Sequence, residues 1–526
     1  METTDRSHPN AGTGRRALRV GIIGAGFGGI ALAVKLKAKT RAEITIFEQD
    51  SGVGGTWWQN RYPGCEVDIP SHVYSFSFLK WDWPRTHATQ PELREYAERA
   101  TEIFGIRDNI RLNTKVDRAQ WDEDSATYTI ETATGELHEF DFVVSSVGLL
   151  NVPRYPDWPG LDSFEGVSFH TSRWEHQHDL AGKSVAVVGT GSTAVQVAPA
   201  LAARVEHLTV YQREPGWIEP KHERAYTPRE RAFYRRVPFA QRAHRLLLLA
   251  KANRRFKAYD TRSRMQRKMQ DLCQDFIDRT IEDPETRAAV TPTYAWGCKR
   301  PVVASTFYPS LNRPNVTLVP RAVTRVTKNG LIDADGVERK ADVLILSTGF
   351  QPQQFLSSVD IRGRGNLSLH EAWAKRATAF LGVTVPGFPN FFILYGPNTN
   401  GGTSIIAQLE RQAELAVRAI RRIERFGGRV VDTDPSMLAR WTAWIDEQLE
   451  THASAMNSGC HNYYTLDGGA NVTQWPRTHW IYFLATRFLA RRGLIFSDRV
   501  DTPRSSGSTR DHTSKPILLR SSSRAD

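Results

Sequence analysis

The sequence predicts an α/β protein of 526 residues that contains the same structural unit twice. A glycine-rich segment between an apolar strand and an apolar helix begins at Gly24 and again at Gly189. A second strand follows in each case and ends in a charged residue 24 positions later, Glu48 in the first unit and Arg213 in the second. Apolar residues make up 40% and charged residues 24%, which is typical of globular proteins and excludes fibrous and wholly disordered chains.

The first unit has the order of a Rossmann-like dinucleotide site. The buried-strand run 20–23 precedes Gly24, Gly26 and Gly29 in G-x-G-x-x-G spacing, and the helical run 30–36 follows. The first glycine permits a tight turn, the second lets the backbone approach a pyrophosphate, and the third lets helix and strand pack closely. The N-terminus of the helix supplies N–H groups to the anion.

The charges that end the second strands distinguish the two sites. Glu48 can accept hydrogen bonds from ribose hydroxyls, which predicts FAD in the first unit. The second unit repeats the motif with Gly189, Gly191 and Ser192, but its strand ends in Arg213. An arginine suits a 2′-phosphate, so this unit is predicted to bind NADPH.

A closing repeat defines the extent of each unit. An apolar strand with Asp seven residues before Gly occurs at 141–148 and at 342–349. The longer second unit contains a helix-patterned insertion. The predicted organisation is a flexible N-terminus (1–16), an FAD-binding domain (17–152 and 380–500), an NADPH-binding domain (153–217 and 297–379), a helical insertion (218–296) and a disordered tail (501–526).

The net charge of +12 comes from one segment. Residues 229–268 contain 14 Lys or Arg and only two acids, so the rest of the chain is neutral and no nucleic-acid partner is expected. The segment fits either a solvated helical face that covers the core or a contact with a membrane surface or acidic partner. We also expect it to line or cover the substrate entrance. No apolar run is long enough to predict a transmembrane segment.

The four cysteines are too few and too scattered to predict a disulfide framework or a metal site. We therefore expect no metal, and a location in the reducing cytoplasm. A disulfide reductase would need a redox cysteine pair, and a ferredoxin-type electron outlet would need a ligand cysteine set. The sequence contains neither set at motif spacing. Molecular oxygen remains as the electron acceptor, which predicts a flavin monooxygenase.

Two segments resemble a known family. Residues 54–68, which include Gly55, Trp57 and Asp68, resemble the G-G-x-W-x-x-x-x-Y-P-G-x-x-x-D motif of type I Baeyer-Villiger monooxygenases. Between the two nucleotide units lies a second motif of that family, F-x-G-x-x-x-H-x-x-x-W, with the residues Phe164, Gly166, His170 and Trp174.

The resemblance extends over roughly residues 19–487. Glu175 departs from it, because the family usually has Pro or Asp there. The stretch 57–78 is most similar to the 4-hydroxyacetophenone monooxygenase branch, which implies aryl ketones as substrates.

The resemblance implies the reaction and its residues. Reduced flavin adds O₂ to form a C4a-peroxide, whose anion attacks a ketone to give an ester or lactone. Arg300 matches the family arginine that stabilises the anion, and Asp68 matches its carboxylate partner. Lys299 matches a second contact to the 2′-phosphate beside Arg213, whereas Tyr463 lies near a position where the family often has tryptophan.

Structural roles are the alternatives for several of these residues. Asp68 could be a turn residue, and Lys299 with Arg300 could be a solvated pair. We assign His170 a positioning role. The alternating aromatic residues of 74–78 are predicted to be strand core and not a flavin cage.

Two other functions remain open from the sequence. A flavin monooxygenase that oxidises nitrogen or sulfur needs only the neutral hydroperoxide, so it does not require the pair of Asp68 and Arg300. A nucleotide-binding redox sensor would use FAD and NADPH only as ligands.

Overall fold

Two five-stranded parallel sheets form the centres of the two predicted units. The computed structural model describes residues 16–401, 404–455, 459–466 and 469–498. The first sheet has the spatial order β19 (Phe391–Ile393), β7 (Phe142–Ser145), β1 (Arg19–Ile23), β2 (Glu43–Phe47) and β3 (Ile110–Arg111). The second has the order β8 (Val167–His170), β17 (Val343–Leu346), β9 (Ser184–Val188), β10 (His207–Tyr211) and β13 (Val316–Val319). The matching order confirms the repeat, and it places both glycine turns at carboxyl ends of strands, where such sheets bind nucleotides.

The aspartates of the closing repeat hold the first strand of each unit. Asp141 accepts a hydrogen bond from the backbone N–H of Arg19, and Asp342 accepts one from the backbone N–H of Ser184. Arg16 also donates to Asp141. The two units are therefore fixed by the same contact, as the sequence repeat suggests.

Helices cover the first sheet on its apolar faces. The helix Gln90–Ile103 begins with a capping box, in which Glu92 accepts from the backbone N–H of Thr89. Its apolar residues are buried apart from Ile103. The helices of this layer are α1 (Phe27–Lys39), α2 (Thr56–Gln59), α3 (Gln90–Ile103) and α11 (Ile405–Phe426).

A four-stranded sheet corrects one predicted domain boundary. Its strands are β18 (Asp360–Arg362), β4 (Val116–Asp122), β5 (Thr127–Thr132) and β6 (Leu137–Phe140). Residues 355–379 were assigned to the NADPH-binding domain, but β18 pairs with β4, and Phe355, Ile361 and Trp373 share a core with Ile23. The reason is that the chain returns to the first unit soon after Gly349. The helix α10 (Leu369–Ala372) belongs to this part.

The second unit has a smaller helical cover and an antiparallel hairpin sheet. Its helices are α4 (Ala194–Ala202) and α9 (Phe307–Leu311), and its hairpin strands are β14 (Val323–Val326), β15 (Gly330–Asp333) and β16 (Glu338–Lys340).

The insertion is helical, as predicted, and docks on the first unit. It contains β11 (Ile218–Glu219), which pairs with β12 (Val302–Val303), and the helices α5 (Pro228–Arg236), α6 (Ala240–Arg255), α7 (Arg264–Thr280) and α8 (Pro284–Val290). Arg231 and Arg235 form ion pairs with Asp82, and Arg245 donates to the carbonyl of Ser75. Three arginines of the basic segment therefore contact the first unit, while most of its other basic residues are exposed.

The C-terminal part adds a helical layer. Its elements are β20 (Val430–Thr433), α12 (Pro435–Leu449), α13 (His479–Leu484), α14 (Ala490–Gly493) and β21 (Leu494–Ser497). A π-helical turn at Ala485–Leu489 joins α13 to α14. No helix in the described ranges could cross a bilayer. The predicted disordered tail and all but the last residue of the predicted flexible N-terminus lie outside the described residues.

Candidate active site

The first glycine turn admits no side chain at two of its positions. Gly24 has a φ of +102°, and a Cβ there would lie 2.7 Å from the carbonyl oxygen of Ser146. A Cβ on Gly29 would lie 2.0 Å from the carbonyl oxygen of Gly24. The predicted reasons for these glycines therefore hold, because the turn needs a positive φ and the helix packs directly against it.

A second glycine loop comes close to the first. Gly55 has a φ of +57°, and a Cβ on it would lie 3.1 Å from the Cα of Gly26. A cavity opens between these loops and the C-terminal residues of the first sheet. Residues of both motifs line it, among them Gly24, Gly26, Glu48, Gly55 and Trp57.

Glu48 lies where the sequence predicted a ribose acceptor. Its carboxylate is buried and accepts hydrogen bonds from the backbone N–H groups of Ala25, at 2.8 Å, and Asp50, at 3.0 Å. Burial raises the pKa of Glu48, and these N–H donors act in the opposite direction. The carboxylate therefore holds the glycine turn while it lines the cavity.

The aromatic segment 74–78 differs from the prediction. It forms turns and not a strand. Tyr74 lines the cavity, and its hydroxyl accepts a hydrogen bond from Trp57 Nε1 at 2.9 Å, whereas Phe76 and Phe78 stack in the core. The expectation that this segment is only core is wrong for Tyr74, because a turn, unlike a strand, does not alternate its side chains strictly between two faces.

The second glycine turn repeats the geometry of the first. Gly189 has a φ of +114°, and a Cβ there would lie 2.4 Å from the carbonyl oxygen of Ser347. A Cβ on Gly191 would meet no atom within 4 Å, so this loop faces open space. Ser192 lies in the turn just before α4, whose first residue, Ala194, replaces the third glycine of the first unit.

Three charged residues lie together beside this turn. Arg213 is exposed just after the end of β10, and its positive charge acts to lower the pKa of Lys299. Lys299 forms an ion pair with Glu214, which was not among the predicted site residues. Burial lowers the pKa of Lys299, and Glu214 opposes that effect. Proximity to Arg213 in the sequence could have indicated Glu214, but its pairing with a residue 85 positions away could not be read from it.

Arg300 and Asp68, predicted as the catalytic pair, are in contact. Arg300 Nη2 donates to Asp68 Oδ2 at 2.5 Å. The Asp68 side chain is 18% exposed, and that of Arg300 is 42% exposed. Asp68 raises the pKa of Arg300 well above its ordinary value. The guanidinium therefore remains a permanent cation with donors left for another group.

Tyrosines surround this cation, and their grouping is not evident from the sequence. Burial raises the pKa of Tyr259, Tyr395 and Tyr464, while Arg300 acts to lower it in each case. Tyr259 comes from the insertion and packs against the Gly297 position. Tyr395 lines the cavity described above, so it connects that cavity with Arg300. Tyr463 also acts to raise the pKa of Arg300.

A disulfide joins Cys298 to Cys460, although the sequence predicted no disulfide framework. The two residues are 162 positions apart, so sequence spacing gave no signal. Cys65 and Cys273 are free and buried. The bond attaches the loop that carries Tyr463 to the segment that carries Arg300. Among the described residues, no group of three His, Cys, Asp or Glu side chains could hold a metal ion.

The motif between the units fixes their connectors. His170 is buried, its Nδ1 accepts from the backbone N–H of Ser172 at 3.1 Å, and its Nε2 lies 3.1 Å from the carbonyl of Gly349. Burial lowers the pKa of His170 to about 4. A Cβ on Gly166 would lie 2.4 Å from the carbonyl of Asp342. Phe164 packs against the core of the second unit.

Trp174 completes this motif by packing at right angles on Phe169, with ring centroids 5.0 Å apart. All four residues of the motif therefore support packing between elements.

Comparisons with known proteins agree with this geometry. Residues 21–232 match the pyridine nucleotide-disulphide oxidoreductase family. A Baeyer-Villiger monooxygenase of Streptomyces coelicolor is 37% identical over 465 residues, which cover 88% of this chain and 89% of the relative. The chain belongs to the Baeyer-Villiger monooxygenase family. A phenazine N-monooxygenase of Lysobacter antibioticus is 32% identical over 469 residues, covering 81% of this chain and 86% of that one.

Solved structures of similar proteins extend the comparison. The closed crystal structure of cyclohexanone monooxygenase has a TM-score of 0.82 at 30% identity, over 91% of this chain and 99% of that one. OTEMO in complex with FAD and NADP has a TM-score of 0.82 at 26% identity, over 91% and 99%.

This Baeyer-Villiger monooxygenase uses FAD and NADPH to insert one oxygen atom next to a ketone carbonyl. Its residues fit both cofactors. The paired glycine loops, in which a Cβ would intrude, and the buried Glu48 suit FAD, and the open turn beside two cations suits NADPH. The predictions of family, fold class, reaction and cofactors are confirmed.

Proposed function

We propose that Arg300 and Asp68 are the catalytic residues of a ketone-oxidising reaction in the cleft between the two nucleotide units. The observation that carries the proposal is the contact of the two side chains beside the FAD cavity, with Arg300 kept as a permanent cation. A solvated pair would not need a half-buried carboxylate from a distant segment. A turn role for Asp68 alone would leave the contact without a purpose.

The residues of this chain then have separate tasks. Bound FAD, after reduction by NADPH, supplies the activated oxygen. Arg300 stabilises negative charge next to the ketone, and Asp68 fixes the orientation of its guanidinium. Because the charge on Arg300 does not depend on a proton near neutral pH, it is available throughout the reaction.

Binding of the cofactors falls to the predicted glycines and charges. Gly24, Gly26, Gly29 and Gly55 make room for FAD, and Glu48 accepts from its ribose. In the second unit, Gly189, Gly191 and Ser192 form the corresponding turn, and Arg213 with Lys299 contacts the 2′-phosphate.

The tyrosines around Arg300 give the cleft apolar walls with a few hydroxyls. Their rings exclude water, which strengthens the electrostatic effect of the guanidinium. Flat walls of this kind favour a planar substrate, so we propose aryl ketones. The insertion contributes Tyr259, and this supports its predicted role at the substrate entrance.

We place the reaction in the cytoplasm, which supplies NADPH. The Cys298–Cys460 disulfide is uncommon in that compartment, where thiols are kept reduced.

A second candidate reaction is oxidation of nitrogen in an aromatic ring. It is favoured by the similarity to a phenazine N-monooxygenase over 81% of the chain. That reaction does not need a peroxide anion, so it should not depend on Arg300.

Product analysis distinguishes the two candidates. Wild-type holoenzyme with NADPH, O₂ and a panel of aryl ketones, thioethers and aromatic nitrogen bases should give esters heavier by one oxygen. Arg300→Ala should abolish ester formation while NADPH still reduces the bound FAD. Arg61→Ala changes an exposed arginine of the motif that carries Asp68; Arg61 donates to the carbonyl of Trp58, and this variant should keep ester formation. Undiminished ester formation by Arg300→Ala would refute the role of Arg300.

A further inference from the structure

An exposed apolar line runs along the C-terminal helix, outside the active site. Trp480, Leu484 and Phe488 are 47%, 44% and 59% exposed, and they succeed one another at intervals of four residues from α13 through the π-helical turn. Phe426, at the end of the neighbouring helix α11, is 75% exposed. Large apolar side chains that are exposed together mark an interaction surface more often than scattered ones do.

Arginines border this line. A groove lies between α11 and the end of the C-terminal helix. It is lined by Arg418, Arg421, Arg422, Arg425, Arg491 and Phe496, among others. The guanidinium of Arg422 lies 4.2 Å from the ring centroid of Phe496. We call the groove together with the apolar line the arginine-aromatic face.

The acids of these helices are engaged elsewhere. On α11, Glu410 accepts from the backbone N–H of Ser77, Glu414 pairs with Lys39, and Glu424 accepts from the backbone N–H of Arg41. The segment His479–Gly493 contains three arginines and no acid. The face is therefore strongly cationic.

We propose that the arginine-aromatic face binds the surface of an anionic phospholipid bilayer. Exposed Trp, Leu and Phe side chains insert at the boundary between headgroups and acyl chains, and flanking arginines contact the phosphates. The protein then lies on the membrane surface.

Charge distinguishes this partner from other occupants of the face. Residues 499–526 carry six Lys or Arg against three acids, so the chain's own C-terminal segment would be repelled. A second copy, docked by the same face, would bring the two sets of arginines together. An anionic bilayer complements both the charge and the apolar side chains.

The basic insertion adjoins this face. The backbone N–H of His479 donates to the side-chain oxygen of Asn253 at 3.1 Å, which connects α6 with the start of the C-terminal helix. Leu246 and Leu247 of α6 are also exposed. The membrane contact considered for residues 229–268 in the sequence is therefore extended to a surface formed by two separate segments.

Co-sedimentation of the holoenzyme with vesicles tests the proposal. Vesicles of phosphatidylglycerol and phosphatidylcholine should bind at least 10-fold more protein than vesicles of phosphatidylcholine alone, and high salt should reverse this. Two variants, Trp480→Ser/Leu484→Ser/Phe488→Ser and Arg421→Glu/Arg425→Glu, should each lower the partition coefficient at least 10-fold. Arg418 is left unchanged because it donates to the carbonyl of Thr486 and holds the helix.

Matched controls change equally exposed residues far from this face. Leu137→Ser on β6 and Arg325→Glu on β14 should bind as wild type does. Retained NADPH oxidation by each variant shows that it is folded. If a variant does not oxidise NADPH, the proposal is judged on the wild-type protein alone, by whether high salt reverses its binding to the anionic vesicles. The proposal would be overturned if the wild type bound both vesicle types equally, or if both variants bound as the wild type does. It would also be overturned if the triple variant Trp480→Ser/Leu484→Ser/Phe488→Ser lost dimerisation.

Discussion

Arg300 and Asp68, 232 positions apart in the chain, are joined by a hydrogen bond of 2.5 Å beside the FAD cavity. Two predictions about the reaction follow from this contact. The first is that Asp68→Asn lowers kcat for ketone oxidation about 10- to 100-fold, because the guanidinium loses its orientation. The pH profile should not move, since Arg300 stays protonated in either case.

The second prediction is that ketone oxidation by the variant Arg300→Lys depends on pH. A lysine in a cleft between buried tyrosines loses its proton far more readily than arginine. We expect residual ketone oxidation that falls with rising pH, whereas flavin reduction by NADPH does not follow that profile. A pH-independent Arg300→Lys enzyme with wild-type kcat would argue against the need for a permanent cation. Steady-state kinetics between pH 6 and 10 provide the measurement.

Glu214 should weaken NADPH binding, because it neutralises Lys299 next to Arg213. The change Glu214→Gln removes that negative charge, so we expect KM for NADPH to fall several-fold. KM for NADH, which lacks the 2′-phosphate, should change little. A rise in KM for NADPH would mean that Glu214 instead positions Lys299 for the phosphate.

The disulfide between Cys298 and Cys460 is expected to hold the loop with Tyr463 near Arg300. Alkylation of the denatured protein should label two cysteines without reductant, Cys65 and Cys273, and all four after reduction. Cys460→Ser should lower the unfolding temperature and raise KM for the ketone. Labelling of four cysteines before reduction would show that the bond does not form in the purified enzyme.

The buried His452 should make the protein less stable in acid. Burial lowers its pKa from 6.5 to about 4, so the unfolded chain binds more protons between these two values. The free energy of unfolding therefore falls as the pH drops from about 6.5 to about 4, by up to about 3 kcal/mol for this one group. His452→Gln should flatten the pH dependence of urea unfolding, and exposed His176→Gln should not. Equal slopes would contradict the burial effect.

Gly29→Ala should abolish FAD retention, since a Cβ would lie 2.0 Å from the carbonyl of Gly24. The reciprocal change Ala194→Gly, at the matching position of the second unit, should leave both cofactors bound. The ratio of flavin to protein absorbance measures the first effect. A yellow Gly29→Ala protein would mean that α1 can shift away from the turn.

Much of the site was predictable because its signals are local. The glycines are required by turns whose geometry depends on adjacent residues, and the strand-end charges follow at a fixed distance. The helix at Gln90–Ile103 was predictable for the same reason, through its capping box. Residues 355–379 and Tyr74 were misassigned, because strand pairing and the facing of a turn depend on distant partners.

The sequence alone determined two nucleotide units, their order and the cofactor expected in each, since these depend on short motifs with defined backbone requirements. Only the tertiary structure decided which charges and rings meet. The pairing of Glu214 with Lys299 and the Cys298–Cys460 bond both join segments far apart in the chain, whereas the pair of Arg300 and Asp68 was already implied by the family resemblance. Such contacts depend on how layers pack, and spacing along the chain carries no record of that packing.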